Sequence, residues 1–195
     1  MAVPRTVTVA LSVASIGVLA LYPLLVYFGI GRFGVAPIAG VLAAVCVLRL
    51  LALRFAGARK LAAGQLVLVC GGMLLAGASF WLDSAEAVLY YPVLVNASLL
   101  GVFGASLVHP PSLVERLARV RDPELTPAAV VYTHRVTIAW TVFFAFNGGV
   151  ALYTALLTPL ATWAWYNGFI AYLLIGTMFG VELMIRLVVM RKHGR

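Results

Sequence analysis

Three asparagines interrupt long apolar runs in this 195-residue chain: Asn96, Asn147 and Asn167. An amide has N–H donors and an acceptor oxygen, and hydrocarbon offers no water to satisfy them, so amides on neighbouring helices are drawn to bond across the gap. With helix ends taken at 87, 157 and 160, the three lie nine, ten and seven residues inward. That is a depth of roughly 10 to 15 Å at ~1.5 Å per residue, a common level to within about one turn. Two readings follow. The amides are interhelical glue worth about 0.6 to 2 kcal/mol per bond, or they line a small polar pocket with Tyr153 and Tyr166 as further donors.

Charged chemistry is sparser. Glu182 is the one acid placed inside an apolar run, and Arg186 follows four residues later on the same helical face. Such a pair near a helix end neutralises itself and reaches water by snorkelling; the rival reading is a proton relay. His109, His134 and His193 fall on separate elements, so no metal site of sensible ligand number assembles from them. Cys46 and Cys70 lie in apolar runs without CxxC spacing and read as small buried hydrophobes. No cofactor fingerprint is present, and Glu182 with His134 and Arg135 is the nearest approach to a catalytic set.

Composition decides which elements position these groups. Hydrophobic residues make up 64% of the chain and charged residues 10%, which excludes a water-soluble domain. At roughly 20 apolar residues per crossing, the chain supplies helices at 6–30, 36–55, 63–81, 87–108, 128–157 and 160–189, a single integral membrane domain over 1–195. The expected fold is an all-α, polytopic transmembrane helix bundle of about six spans. Five spans is the alternative, if the first apolar run breaks at Pro23 instead of crossing. Pro37 suits a first helical position, and Asp83-Ser84, Thr126-Pro127 and Thr158-Pro159 carry N-capping side chains. Gly57 with Arg59 and Lys60 breaks the run before the third helix. Of the 14 Lys and Arg residues only Arg32 falls on the far side of this topology, so both termini are expected in the cytosol. The same clustering accounts for the net charge of +8, and nucleic acid is not needed as a partner.

The longest polar segment, His109 to Thr126, reads as a cytosolic connector with a short helix at about 112–121. Ser112 with Glu115 is a capping-box pair, and Asp122-Pro123 ends the helix. Leu113, Val114, Leu117 and Val120 fall on one face, and Glu115, Arg116 and Arg119 on the other. The helix is expected to lie in the interface with its arginines toward anionic headgroups, or to tuck its apolar face under the bundle or against a partner. At the opposite side Phe80, Trp81, Tyr90, Tyr91, Tyr153, Trp163, Trp165 and Tyr166 read as an interfacial aromatic belt. Gly176/Gly180, Gly101/Ala105 and Ala36/Gly40 are small pairs four apart of the kind that lets helices approach closely.

From about Tyr22 to Glu182 the chain resembles the bacterial intracellular septation protein A family of inner-membrane proteins. The matching pieces are YPLLVYF at 22–28, PSLVERL at 111–117, ELTPAAVVYTHRVTIAWTVFFAFNG at 124–148 and TWAWYNGF at 162–169. It is closer to a branch of predicted membrane proteins related to that family. By position Glu124, Leu125, Arg135, Trp140, Phe143, Phe144 and Asn167 carry the motif. Two features depart from it: Thr137 stands where the family commonly has asparagine, and the apolar stretch before YPLLVYF is longer.

The resemblance implies a multi-pass protein of the bacterial inner membrane without an established enzymatic activity, supporting cell-envelope biogenesis or septation. Its expected partners are the phospholipid bilayer with anionic headgroups, envelope or division proteins, and a second copy of the chain. The first rival is a transporter or flippase of a lipid-like or acyl substrate, distinguished by a hydrated path through the asparagine layer. The second is a membrane-embedded enzyme of an acyl or lipid pathway, which needs a convergent acid, base or nucleophile.

Overall fold

The computed structural model describes residues 21–55, 63–82, 84 and 86–192. Among them the chain is all helix, without a strand. The elements are α1 (Leu21–Phe33), α2 (Val35–Phe55), α3 (Ala63–Leu82), α4 (Glu86–Leu89), α5 (Tyr91–Val108), α6 (Leu113–Arg121), α7 (Pro127–Leu157), α8 (Leu160–Trp165), a π-helical turn (Tyr166–Ile170) and α9 (Ala171–Lys192). Three stretches, Glu86–Val108, Pro127–Leu157 and Leu160–Leu187, are long and apolar enough to cross a membrane. The apolar stretches Leu21–Phe33, Val35–Leu51 and Val69–Leu82 are shorter. Of the expected first span at 6–30 the part from Leu21 lies in α1 and the part before it is outside the described residues, as are the connector with Gly57, Arg59 and Lys60, and Asp83.

Several helix ends differ from the sequence expectation, each for a local reason. Gly34 alone joins α1 to α2: its φ is +76° and its N–H bonds the Ile30 carbonyl at 3.1 Å, a left-handed C-cap that costs glycine no Cβ clash. The second helix therefore restarts at Val35, ahead of Pro37. Thr126 caps α7 as expected, accepting from the Ala129 N–H at 3.3 Å. Thr158 does not cap α8. Its hydroxyl turns back to donate to the Thr154 carbonyl at 2.8 Å, and Pro159 stands at the N-cap without a side-chain bond.

The break between α4 and α5 has a covalent cause. Pro92 has no N–H, so the Val88 carbonyl four residues back loses its helical partner. The Tyr22 hydroxyl donates to that carbonyl at 3.0 Å, and the Trp163 Nε1–H donates to the Leu89 carbonyl at 3.1 Å. Tyr22 and Trp163 are both buried, and Tyr91 packs its ring 5.1 Å from that of Tyr22. Tyr91 and Trp163 thus belong to the core and not to an aromatic belt, because the broken helix demands donors in the interior. Phe80, Trp81, Tyr153 and Trp165 are exposed.

The longest seam joins α5 to α7, with α2 on α3 and α3 on α5. The buried residues of α7 are Thr133, Thr137, Trp140, Phe144, Asn147, Ala151 and Thr154. Their alternating spacing of four and three is the seven-residue repeat of helices packed at a small crossing angle. Val131, Ile138, Val142, Phe146 and Leu156 point outward. The helix is inside-out relative to a soluble one, with Thr133, Thr137, Asn147 and Thr154 turned inward and apolar side chains outward. Around Trp140 the rings of Phe103, Phe144 and Phe179 lie 4.7 to 6.5 Å away.

Two packing expectations are corrected. Cys46 is buried, but Cys70 is exposed, since its neighbours Gly71 and Gly72 are the ones turned toward Leu94 and Cys46. A Cβ placed on Gly40, Gly101, Gly176 or Gly180 would meet no atom within 4 Å, so among the described residues these small-residue pairs do not mediate close packing.

The connector helix α6 keeps its expected extent but not its expected cap. Ser112 stands at the N-cap with a buried hydroxyl that has no hydrogen-bond partner. Glu115 turns instead to Arg119, 2.7 Å away. The first N–H groups of α6 are taken by hydroxyls from other helices: Leu113 N–H donates to Ser106 Oγ of α5 at 2.9 Å, and Val114 N–H to Thr137 Oγ1 of α7 at 3.4 Å. The arginines are also engaged locally. Arg116 donates to the carbonyls of Pro111 (2.6 Å) and His109 (2.8 Å), and Arg119 to that of Pro123 (3.1 Å). Glu115 faces inward, whereas Leu117 and Val120 stand exposed, so the apolar edge is not tucked under the bundle.

Candidate site: a polar chain across three helices

The strongest concentration of polar chemistry inside the spans runs from α5 through α7 to the π turn. Asn96 Nδ2 donates to the Pro92 carbonyl at 2.8 Å, four residues back along its own helix. Its Oδ1 accepts from Asn147 Nδ2 at 3.0 Å. Asn147 Oδ1 in turn accepts from the Tyr166 hydroxyl at 2.8 Å. Asn96 and Asn147 are buried and Tyr166 is half-buried, so the chain leads from the interior toward the surface.

Local packing makes the amide pair fit. A Cβ on Gly148 would stand 3.0 Å from the Asn96 Cβ, so the missing side chain of Gly148 lets α5 come close enough for Asn96 to meet the neighbouring Asn147. Both amides are placed by helices that share a seam, and neither amide can swing away without leaving polar groups bare in an apolar interior.

Asn167 does not join this chain. It donates to Thr154 Oγ1 at 3.1 Å and to the Trp163 carbonyl at 2.9 Å, a second link between α7 and the last helical segment. Thr154 lies seven residues beyond Asn147 on the buried stripe of α7, about 10 Å along the axis. The π turn displaces the expected level, because the Ala171 N–H bonds Tyr166 five residues back and widens this part of the helix. Tyr153 is exposed and takes no part. One residue away around the helix, Thr154 holds the inward position that Tyr153 was expected to fill.

Thr154 was overlooked because a helical hydroxyl ordinarily bonds its own backbone, and this one does donate to the Ala151 carbonyl at 2.9 Å. The alternating four-and-three spacing from Thr133 to Thr154 was the signal that could have found it. The same spacing includes Thr137, the position where the sequence resemblance leads one to expect asparagine. Its hydroxyl is fully buried, donates to the Thr133 carbonyl at 2.8 Å and receives the Val114 N–H.

A second polar group lies at the other end of α9. Arg186 Nε and NH2 donate to Glu182 Oε1 at 3.0 and 2.7 Å. Tyr132 of α7 adds its hydroxyl, 3.2 Å from the same carboxylate oxygen and 3.1 Å from the Glu182 carbonyl. Glu182 is therefore tied both within its helix and across to α7. His134 and Arg135 are exposed and not joined to it. Of the other motif positions, Trp140 and Phe144 are buried, Phe143 and Leu125 are half-buried and Glu124 is exposed. Among the described residues no group of three His, Cys, Asp or Glu side chains could hold a metal ion.

Two amides and a phenol hold neither a base nor a nucleophile of ordinary strength. What they can do is fix the mutual rotation of three helices and offer a hydrogen-bonding surface at Tyr166. No family model, no curated protein and no solved structure matches the chain.

Proposed function

We propose that the chain is a non-enzymatic, multi-pass protein of a bacterial inner membrane that supports cell-envelope biogenesis or septation through contacts with lipids and partner proteins. The reading extends the resemblance to the intracellular septation protein A family. The observation that carries it is the engagement of Asn96, Asn147, Asn167 and Thr154 with one another, with Tyr166 and with backbone carbonyls. Polar groups so placed serve helix packing. In this proposal α1, α2 and α3 complete six spans around the three long apolar helices, both termini lie in the cytosol, and the Leu117 and Val120 edge of α6 rests in the interface with anionic lipid. The exposed face of α9, with Leu173, Phe179, Leu183 and Met184, is then available to division or envelope proteins and to a second copy of the chain.

Complementation of an envelope-defective deletion strain, run beside thermal melting of each purified variant, tests the reading. Asn147→Leu is expected to lose function in proportion to its loss of stability. A stable but inactive Asn147→Leu protein would sink it in favour of a transporter or flippase of a lipid-like substrate. That second reading is favoured by one feature, the π turn carrying the half-buried Tyr166, because π-helical turns recur at functional sites.

A further inference from the structure

Between α1 and the α8/π segment lies a cleft of about 300 Å³. Its walls are two aromatic pairs, each set edge to face: Tyr27 with Phe28 on α1, centroids 5.1 Å apart, and Trp165 with Phe169 on the last span, 5.6 Å apart. Its floor is small. Ala161, Ala164 and Gly168 line it, and the missing Cβ of Gly168 lets Pro23 and Leu24 approach to 3.4 Å of where that atom would stand. A half-open groove with aromatic walls and a floor of alanine and glycine fits a linear apolar chain.

Two further observations identify the occupant. The floor residues lie within ten residues of Leu160, the start of a membrane-length helix, hence within roughly 15 Å of its end, where acyl chains replace water. Two of the lining residues carry donors, the Tyr27 hydroxyl and the Trp165 Nε1–H, and neither has a hydrogen-bond partner among the described residues. Amphipathic rings prefer this depth because their apolar bodies meet tails while their polar tips meet ester and headgroup oxygens.

We infer that this cleft is a phospholipid site, holding one acyl chain between the aromatic pairs with an ester carbonyl accepting from Tyr27 or Trp165. The lipid is a diacyl phospholipid of the leaflet at the Leu160 end, recognised by its tail and ester more than by its headgroup. The site rests on the membrane-spanning reading of the last helix and not on any role in the envelope.

Native mass spectrometry of the full-length protein, titrated with palmitoyl-oleoyl phosphatidylglycerol or phosphatidylethanolamine, tests it. One tightly retained lipid per protomer is expected, with either headgroup. Ala161→Trp fills the groove and is expected to abolish that retention, whereas Leu156→Trp, on an exposed face of α7, keeps it. Tyr27→Phe combined with Trp165→Phe leaves the groove open and removes both donors, for an expected weakening of about fivefold, the equivalent of one modest hydrogen bond. Equal retention by wild type and Ala161→Trp, both folded by circular dichroism, overturns the inference. So does a wild type that retains free oleate in preference to phospholipid, or a dimer mass in wild type that Ala161→Trp removes, which would assign the cleft to a second copy. Because the readout is a bound mass, a negative result leaves complementation unaffected, and failure of complementation leaves the lipid count unaffected.

Discussion

At the scale of single residues, Asn147 is the pivot, because it both donates to Asn96 and accepts from Tyr166. Asn147→Leu strands one acceptor and one donor and is expected to lower stability in detergent by about 1 to 3 kcal/mol. Tyr166→Phe removes only the outer bond, for about 1 kcal/mol. The double variant is expected to lose less than the sum, by about 0.6 to 1.7 kcal/mol of coupling. Strictly additive melting curves would show that the Tyr166–Asn147 bond contributes nothing. Gly148→Ala probes the same site sterically: its Cβ would stand 3.0 Å from the Asn96 Cβ, and with about 1 kcal/mol of helix propensity gained in return the fall in melting temperature is expected to be smaller than for Asn147→Leu. Helix rise alone made the depth of Asn96 and Asn147 legible in the sequence, whereas Asn167 was misplaced because a regular helix was assumed through Tyr166–Ile170. Tyr153 is a stronger donor in type than Thr154 but is exposed while Thr154 is buried, because rotation around the helix and not donor strength decides which side chain faces in.

At the scale of elements, α6 inverts the usual economy of a capped helix. Its N-terminal N–H groups are satisfied by Ser106 and Thr137 from the spans, while the Ser112 hydroxyl at the N-cap bonds nothing. Ser112→Ala, which at an ordinary N-cap costs about 1 kcal/mol, is therefore expected to be neutral or slightly stabilising, since it removes an unsatisfied buried hydroxyl. Ser106→Ala and Thr137→Val are expected to speed hydrogen exchange through 109–126 and to cost about 1 to 2 kcal/mol each. Faster exchange in Ser112→Ala with no change in the other two would restore the capping box. The extent of α6 was legible because Ser112 and Asp122 bracket a short apolar-polar pattern. Its partners were not, because Ser106 and Thr137 lie on other helices and tertiary contact overrode the local motif. Of the two placements open for its apolar face, the exposure of Leu117 and Val120 goes against tucking under the bundle.

At the scale of the whole molecule, the three membrane-length helices and the clustering of basic residues make a topology experiment decisive. A reporter active only outside the cytosol, fused after residue 195, is expected to stay silent, and one inserted between Leu157 and Leu160 is expected to be active. A strong signal from the C-terminal fusion would overturn the proposed six-span arrangement. The repair of the Pro92 break bears on how such a molecule is made. The Val88 and Leu89 carbonyls receive their donors from Tyr22, early in the chain, and from Trp163, which leaves the ribosome only after the α4–α5 segment and all of α7 have been synthesised. Until Trp163 arrives, Leu89 lacks this interior donor, and a carbonyl without one is costly in an apolar interior. Pulse-chase labelling of Trp163→Phe, which removes that donor, is expected to show faster turnover of full-length chains without any change in their synthesis.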